Sequence, residues 1–311
     1  MTKKKTILIL GAGGLLGNII YDKLSKLHNI IGFSHKKSKK RNIIKSNYSD
    51  FSPRHIFFIQ SADIIINCIG ENSDENKMKK INITILKKIS IQINKIKKKK
   101  IFIHISTCGV YGNLIDQLLI DESTKPKPET KYSKTKFNGE EILINQLKNN
   151  TKLIILRPSQ VIGTTMKNTS LKKLYYFVKK KLFFFVNNKK SVFSYIFAED
   201  LLLIISRLIK IKKHKNEIYN ISNKITYEKL VKIIQKSLNQ NFYYPSINPL
   251  IIKLIIYIFT RLIKKKIPIT NKTLNSLMAK TTFKSKKIKL DLKIDKFINI
   301  NIHNLRYLIN E

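Results

Sequence analysis

Short apolar runs alternate with longer segments whose apolar positions recur at helical spacing through most of the first 220 residues. The period-2 or continuous runs predict strands at 6–10, 30–34, 63–68, 101–106, 153–157 and 217–221. Helical periodicity predicts helices near 15–27, 75–96, 131–148 and 199–210. Strand and helix taking turns with short connections argue for an α/β fold with a parallel, doubly wound sheet. The segments 164–194 and 224–311 lack this alternation. They are expected to form a smaller C-terminal substrate-binding lobe on a dinucleotide-binding domain made of 1–163, with 195–223 returning to it.

In such a sheet, ligands bind beyond the carboxyl ends of the strands, so the residues that follow each strand matter most. Thr6-Ile-Leu-Ile-Leu10 runs directly into Gly11-Ala-Gly-Gly-Leu-Leu-Gly17, and a helical pattern follows. Glycines at a strand-to-helix turn allow a tight bend and close approach of a pyrophosphate, while the helix N-terminus offers free N–H groups. The turn Gly11, Gly14, Leu15, Leu16, Gly17 is therefore a candidate dinucleotide cradle in a Rossmann-like fold. Tyr132 and Lys136 lie four apart on a predicted helix, which puts phenol and ammonium on one face. The strand ending at Ser106-Thr107 can bring a hydroxyl to the same point. A tyrosine beside an ammonium and an oxidised nicotinamide is an acid/base group for hydride chemistry.

These residues resemble the extended short-chain dehydrogenases/reductases, the NAD-dependent epimerase/dehydratase family. The matches occur in order: Gly11, Gly14 and Gly17; Asn67-Cys-Ile-Gly70; Asn82; Ser106-Thr-Cys-Gly-Val-Tyr-Gly112; Tyr132 and Lys136; Arg157-Pro158-Ser159; Tyr195-Ile-Phe-Ala-Glu-Asp200. The resemblance implies Thr107, Tyr132 and Lys136 as catalytic residues. It implies Cys68, Ile69, Gly70, Pro158 and Ser159 as further cofactor-binding positions, and Asn82, Thr107 and Cys108 as substrate-binding positions. It also implies a homodimer.

Cofactor and reaction can be narrowed. After the strand near 30–34 comes Ser34-His35-Lys36-Lys37, where an NAD-preferring site would carry a carboxylate. A hydroxyl and cations suit a 2′-phosphate, so NADP(H) is expected before NAD(H). Dehydratases of the family follow the threonine with Asp-Glu; here Cys108-Gly109 follows, which disfavours elimination of water. The resemblance of the C-terminal half to the sugar-nucleotide branch then implies an enzyme acting at C4 of a nucleotide-linked or polyprenyl-diphosphate-linked sugar. A 4-ketoreductase is expected first and a 4-epimerase second. A non-catalytic nucleotide sensor or assembly subunit is the alternative from another class.

Charge changes the picture less than its size suggests. The chain carries 61 Lys+Arg against 19 Asp+Glu, a formal +42. The lysines are spread along the chain without interleaved aromatics, so specific nucleic-acid binding is not expected. Cys68 and Cys108 form neither a disulfide framework nor a zinc pattern, and no metal site is expected. With no apolar run of signal-peptide length near the N-terminus, the expected compartment is the cytoplasm. The near-continuous apolar stretch 250–263, followed by Lys264-Lys265-Lys266, reads first as a buried helix of the lobe. Its second reading is peripheral membrane contact through 250–266. His104 is expected to be a satisfied core histidine, Phe183 to Phe185 lobe core, and Asp200 the cap of a helix.

Overall fold

The computed structural model describes residues 4–48, 51–112, 119–187, 190–211, 215–258, 274 and 277–309. Its centre is a seven-stranded, all-parallel sheet in the order β11-β7-β5-β4-β1-β2-β3. The strands are β1 Thr6–Leu10, β2 Asn29–Ser34, β3 Ile43–Lys45, β4 Ile64–Asn67, β5 Lys100–Ile105, β7 Thr151–Pro158 and β11 Glu217–Ile221. Parallel strands buried on both faces need apolar side chains in both directions. Ile7, Ile9, Ile64, Ile66, Ile103, Ile154 and Leu156 point to one core, shared with α1 (Leu15–Leu24) and α7 (Ala198–Lys210). Leu8, Leu10, Ile65, Phe102, Leu153 and Ile155 point to the other, with α2 (Pro53–Ser61), α4 (Ile85–Asn94) and α5 (Lys131–Gln146).

The chain leaves β1 towards β2 and β3, then returns past it to β4, so the strand order reverses between β1 and β4. That reversal opens a crevice above the carboxyl ends of these two strands. Gly11 and Cys68, the residues that follow them, meet there: a Cβ on Gly11 would lie 3.0 Å from the Cys68 carbonyl carbon.

The helix expected over 75–96 is divided into α3 (Glu75–Lys79), a π turn at Lys80–Thr84, and α4. The widened turn carries Asn82, whose backbone oxygen would stand 2.6 Å from a Cβ on Gly139 of α5. Only glycine at 139 lets the two helices approach so closely. The expectations for 63–68, 101–106 and 199–210 hold to within a residue or so, and 217–221 is reproduced.

A second core lies beyond the sheet. Ile162, Tyr175, Phe183, Phe185, Phe193, Tyr195, Tyr227 and Leu230 form it with Leu305 and Leu308, so Phe183 and Phe185 are core residues there. It is framed by the small sheet β12-β10-β8 (Asn223–Thr226, Val192–Phe197, Gln160–Ile162) and by α6 (Thr169–Lys179) and α8 (Tyr227–Ser237). Asp200 does not cap α7, whose N-cap is Phe197 without a side-chain bond. Its buried carboxylate instead accepts from the Ile298 backbone N–H at 2.9 Å, and burial raises its pKa to about 6. The cap expected from the family resemblance is replaced by this long-range partner.

Within the stretch 250–263, α9 spans Pro249–Tyr257, and the expected buried helix is corrected there. Ile252 is 3% exposed, but Leu250 is 70% exposed. Residues 259–266 lie outside the described residues.

Candidate active site

Three strand ends and one helix build the site. β5 ends at Ile105, and Thr107 follows in extended conformation, its Oγ1 accepting from the Gly109 N–H at 3.0 Å. That bond folds Cys108–Tyr111 into a 3-10 turn against the start of α5, since a Cβ on Gly109 would touch Ser133 at 3.8 Å. α5 begins with a capping box: Thr130 Oγ1 accepts from the Ser133 N–H at 3.1 Å and Ser133 Oγ from the Thr130 N–H at 3.0 Å. The box fixes Tyr132 in the first turn, half-buried, and puts Lys136 one turn further on the same face.

Lys136 is 3% exposed, and its Nζ donates to the Ile105 carbonyl at 2.7 Å. The ammonium is thus held at the end of the strand that carries Thr107. Burial lowers its pKa to about 8, opposed by the nearby Glu140 and Cys68. Burial also raises the Tyr132 hydroxyl above its ordinary value.

Lys136 supplies a pH signature. Its displacement from 10.5 to about 8 corresponds to about 3 kcal/mol against folding with the charge present, and the bond to Ile105 returns about 1 kcal/mol. Lys136→Met is therefore expected to be more stable than wild type by about 2 kcal/mol below pH 8. Between about pH 8 and 10.5 the unfolded wild-type chain binds more protons than the folded one, so wild-type stability rises by about 3 kcal/mol, and the gap closes and then reverses by about 1 kcal/mol. Urea midpoints of both proteins over a pH series check this. A gap independent of pH would mean that the lysine titrates normally.

One turn beyond Lys136, Glu140 is fully buried. It accepts from Ser106 Oγ, from Arg157 Nε at 3.1 and 3.2 Å, and from Arg157 Nη2 at 2.5 Å. Arg157 Nη1 donates to the Tyr111 hydroxyl at 2.8 Å, and that hydroxyl donates to Asn220 Oδ1 at 2.9 Å. A polar chain thereby ties α5 to β5, β7, the 3-10 turn and β11. Sequence reasoning overlooked Glu140, although Tyr132, Lys136 and Glu140 at i, i+4 and i+8 share a helix face.

The expected cofactor residues gather at neighbouring strand ends. Gly11 has φ +83°, and a Cβ on Gly17 would stand 2.2 Å from the Gly11 carbonyl oxygen. Gly14 is the N-cap of α1 and offers no side-chain cap, and the first turn holds no acidic residue, so the helix N-terminus is left for an anion. Cys68, Ile69 and Gly70 follow β4, with the Cys68 thiol pushed up to about 12 by burial. Pro158 ends β7, and the Ser159 Oγ beside it is buried without a protein partner. The tight glycine turn, the uncapped helix and the orphaned hydroxyl fit a dinucleotide lying across the crevice.

Two details depart from expectation at the β2 end. Ser34 is 2% exposed, and its Oγ donates to the Lys36 carbonyl at 2.8 Å, leaving His35, Lys36 and Lys37 as the exposed groups there. Tyr48, which no sequence signal marked, sits beneath the glycine turn. Its hydroxyl donates to the Phe33 carbonyl at 2.7 Å and accepts from the Gly11 N–H at 2.9 Å.

The two further substrate positions are internal, each 2% exposed. Asn82 Oδ1 accepts from the Glu71 N–H at 2.9 Å, and its Nδ2 donates to the Glu71 carbonyl and to Thr135 Oγ1. It shapes the turn beside α5 and its amide is engaged within the protein. The Cys108 thiol donates to the Arg157 carbonyl at 2.9 Å, and burial raises its pKa. His104, fully buried, has Nδ1 2.8 Å from Asn67 Nδ2, but its Nε2 has no protein partner. It is only half satisfied.

Residues 7–222 match the family model for the NAD dependent epimerase/dehydratase family. No curated protein sequence matches the chain. Among solved structures, the UDP-glucuronic acid 4-epimerase from Bacillus cereus, in complex with UDP-glucuronic acid and NAD, superposes with a TM-score of 0.71 at 17% identity, covering 98% of each chain. MoeE5 in complex with UDP-glucuronic acid and NAD gives 0.74 at 11% identity, again over 98% of each chain. The Bordetella bronchiseptica enzyme WbmG, in complex with NAD and UDP, gives 0.70 at 13% identity over 98% of this chain and 94% of its own.

Proposed function

The chain belongs to the NAD dependent epimerase/dehydratase family, and from that premise we propose that it is an NADP(H)-dependent 4-ketoreductase of a diphosphate-linked sugar. The observation that carries this reading is the bond from Lys136 Nζ to the Ile105 carbonyl, which fixes the face of α5 that bears Tyr132 at the end of the strand leading to Thr107. When bound, the nicotinamide supplies the hydride to C4. Tyr132 would donate its proton to the C4 oxygen, and Thr107 Oγ1 would hydrogen-bond that oxygen. Lys136 keeps a positive charge beside the phenolate that remains and binds the nicotinamide ribose.

Elimination of water has no support, because the positions after Thr107 hold a buried thiol with a raised pKa and a glycine. His35, Lys36 and Lys37, exposed after β2, support a 2′-phosphate. The carrier is a nucleotide or a polyprenyl diphosphate, and the compartment proposed is the cytoplasm. Ile91 of α4 and Ile144 of α5, 45% and 51% exposed, support a homodimer through these helices. A 4-epimerase is the second reading, favoured by the B. cereus 4-epimerase and its NAD.

Acid-released nucleotide content and titration with NADPH and NADH test the choice. A purified protein free of stoichiometric nucleotide, binding NADPH at least several-fold tighter than NADH, is expected. One equivalent of retained NAD would overturn the reductase in favour of the epimerase.

A further inference from the structure

The substrate lobe presents an apolar helix face that the fold leaves uncovered. On α9, Leu250, Ile251, Leu254 and Tyr257 are 70, 54, 58 and 56% exposed. At about 100° per residue they fall within an arc of about 120°. Ile252, on the opposite side, packs with Val186 and Leu274 and holds the helix to the lobe. The loops leading into the adjoining β9–β13 pair (Phe185–Val186 and Ser246–Ile247) add Leu182 at 61% and Tyr243 at 74% exposure. Large apolar side chains gathered on an exposed helix face mark a contact surface.

Charge identifies what would cover it. The sequence has no Asp or Glu from 142 to 198 or from 229 to 290, so Glu228 is the one acid in 200 to 290 that belongs to the lobe segments, and it pairs with Lys232 at 3.1 Å. Lys253 is exposed on α9 itself, and Lys180 and Lys181 are exposed just beyond α6. A second copy would bring the same cations to the interface and be repelled. A surface that combines an apolar stripe with cations and lacks acids is complementary to an anionic bilayer. Among the described residues no helix is long and apolar enough to cross a membrane, so the contact would be peripheral.

We propose that the apolar face of α9 lies in the headgroup layer of an anionic membrane, with the lysines of the lobe against lipid phosphates. This goes beyond the reaction assigned above and holds whichever carbonyl or alcohol the enzyme works on.

Because a protein of charge +42 is drawn to any anionic surface, the test must hold charge constant. The full chain is sedimented with phosphatidylcholine vesicles with and without a minority of phosphatidylglycerol, at physiological ionic strength. Leu250→Ser/Ile251→Ser/Leu254→Ser changes no charge and touches side chains that are more than half exposed. It is expected to lower partitioning onto anionic vesicles by about tenfold or more. Lys23→Gln/Lys87→Gln, on exposed positions of α1 and α4, should stay within about twofold of wild type. A second measurement does not depend on the triple variant folding. The chain contains no tryptophan, so Tyr257→Trp introduces a single reporter whose emission should shift to the blue on anionic vesicles. The proposal is overturned if the triple variant binds like wild type, if wild type fails to bind, or if the tryptophan emission does not move. Conversion of a wild-type dimer to monomer by the triple variant would also overturn it, because a second copy would then cover the face.

Discussion

Tyr132→Phe is expected to lower kcat for reduction of a 4-keto sugar nucleotide by about 10²–10⁴-fold, the contribution typical of one positioned general acid. The substitution removes one oxygen from a half-buried ring at the start of α5 and leaves the capping box of Thr130 and Ser133 in place. Lys136 keeps its bond to the Ile105 carbonyl, so nucleotide affinity should change little. The burial that raises the tyrosine pKa favours the neutral ring, and phenylalanine there should not destabilise the fold. Single-turnover hydride transfer and an NADPH titration on the same protein separate the two effects. Turnover equal to wild type with unchanged binding would instead support the non-catalytic nucleotide-sensor reading.

Arg157→Met should cost about 3–5 kcal/mol of stability, the range for breaking one side of a buried ion pair. Both partners are almost wholly buried, at 3% and 0% exposure, and the guanidinium also stacks 5.0 Å from the centre of the Tyr111 ring. Removing it leaves the Glu140 carboxylate with Ser106 Oγ as its remaining partner and deprives the Tyr111 hydroxyl of a donor. Adding Glu140→Met on top should recover much of the loss, because the uncompensated charge disappears with it. Urea denaturation of the two single variants and the double variant closes the cycle. Additive losses would show that the two side chains act independently.

The placement of the glycine turn after β1, of Tyr132 and Lys136 on one face of α5 and of Thr107 after β5 was legible because each rests on local rules: a strand before a tight turn, a spacing of four on a helix, a hydroxyl after a strand. β3 was not, because three residues carry no period. α2 was obscured by Ile56, Phe57, Phe58 and Ile59 in succession, of which only Ile59 is buried. The inward bonding of Asn82 and Cys108 has no local sequence signal. What holds them inward are Glu71, Thr135, Gly139 and the Arg157 carbonyl, contacts that only the tertiary fold creates. The partner of Asp200 is equally remote from any local signal, since Ile298 lies 98 residues away.

The order of strands also has a consequence in time. β11 closes one side of the seven-stranded sheet against β7, yet 58 residues separate Pro158 from Glu217. At about 5–20 residues per second, a ribosome takes roughly 3–12 s to deliver them. Throughout that interval β7 stands at the edge of a nascent sheet with its outward N–H and C=O groups unpaired, a template for any passing extended chain. The segment carrying α6, β9 and β10 is made while that edge is open, so the speed of translation through it governs how long the newborn protein is exposed to mispairing.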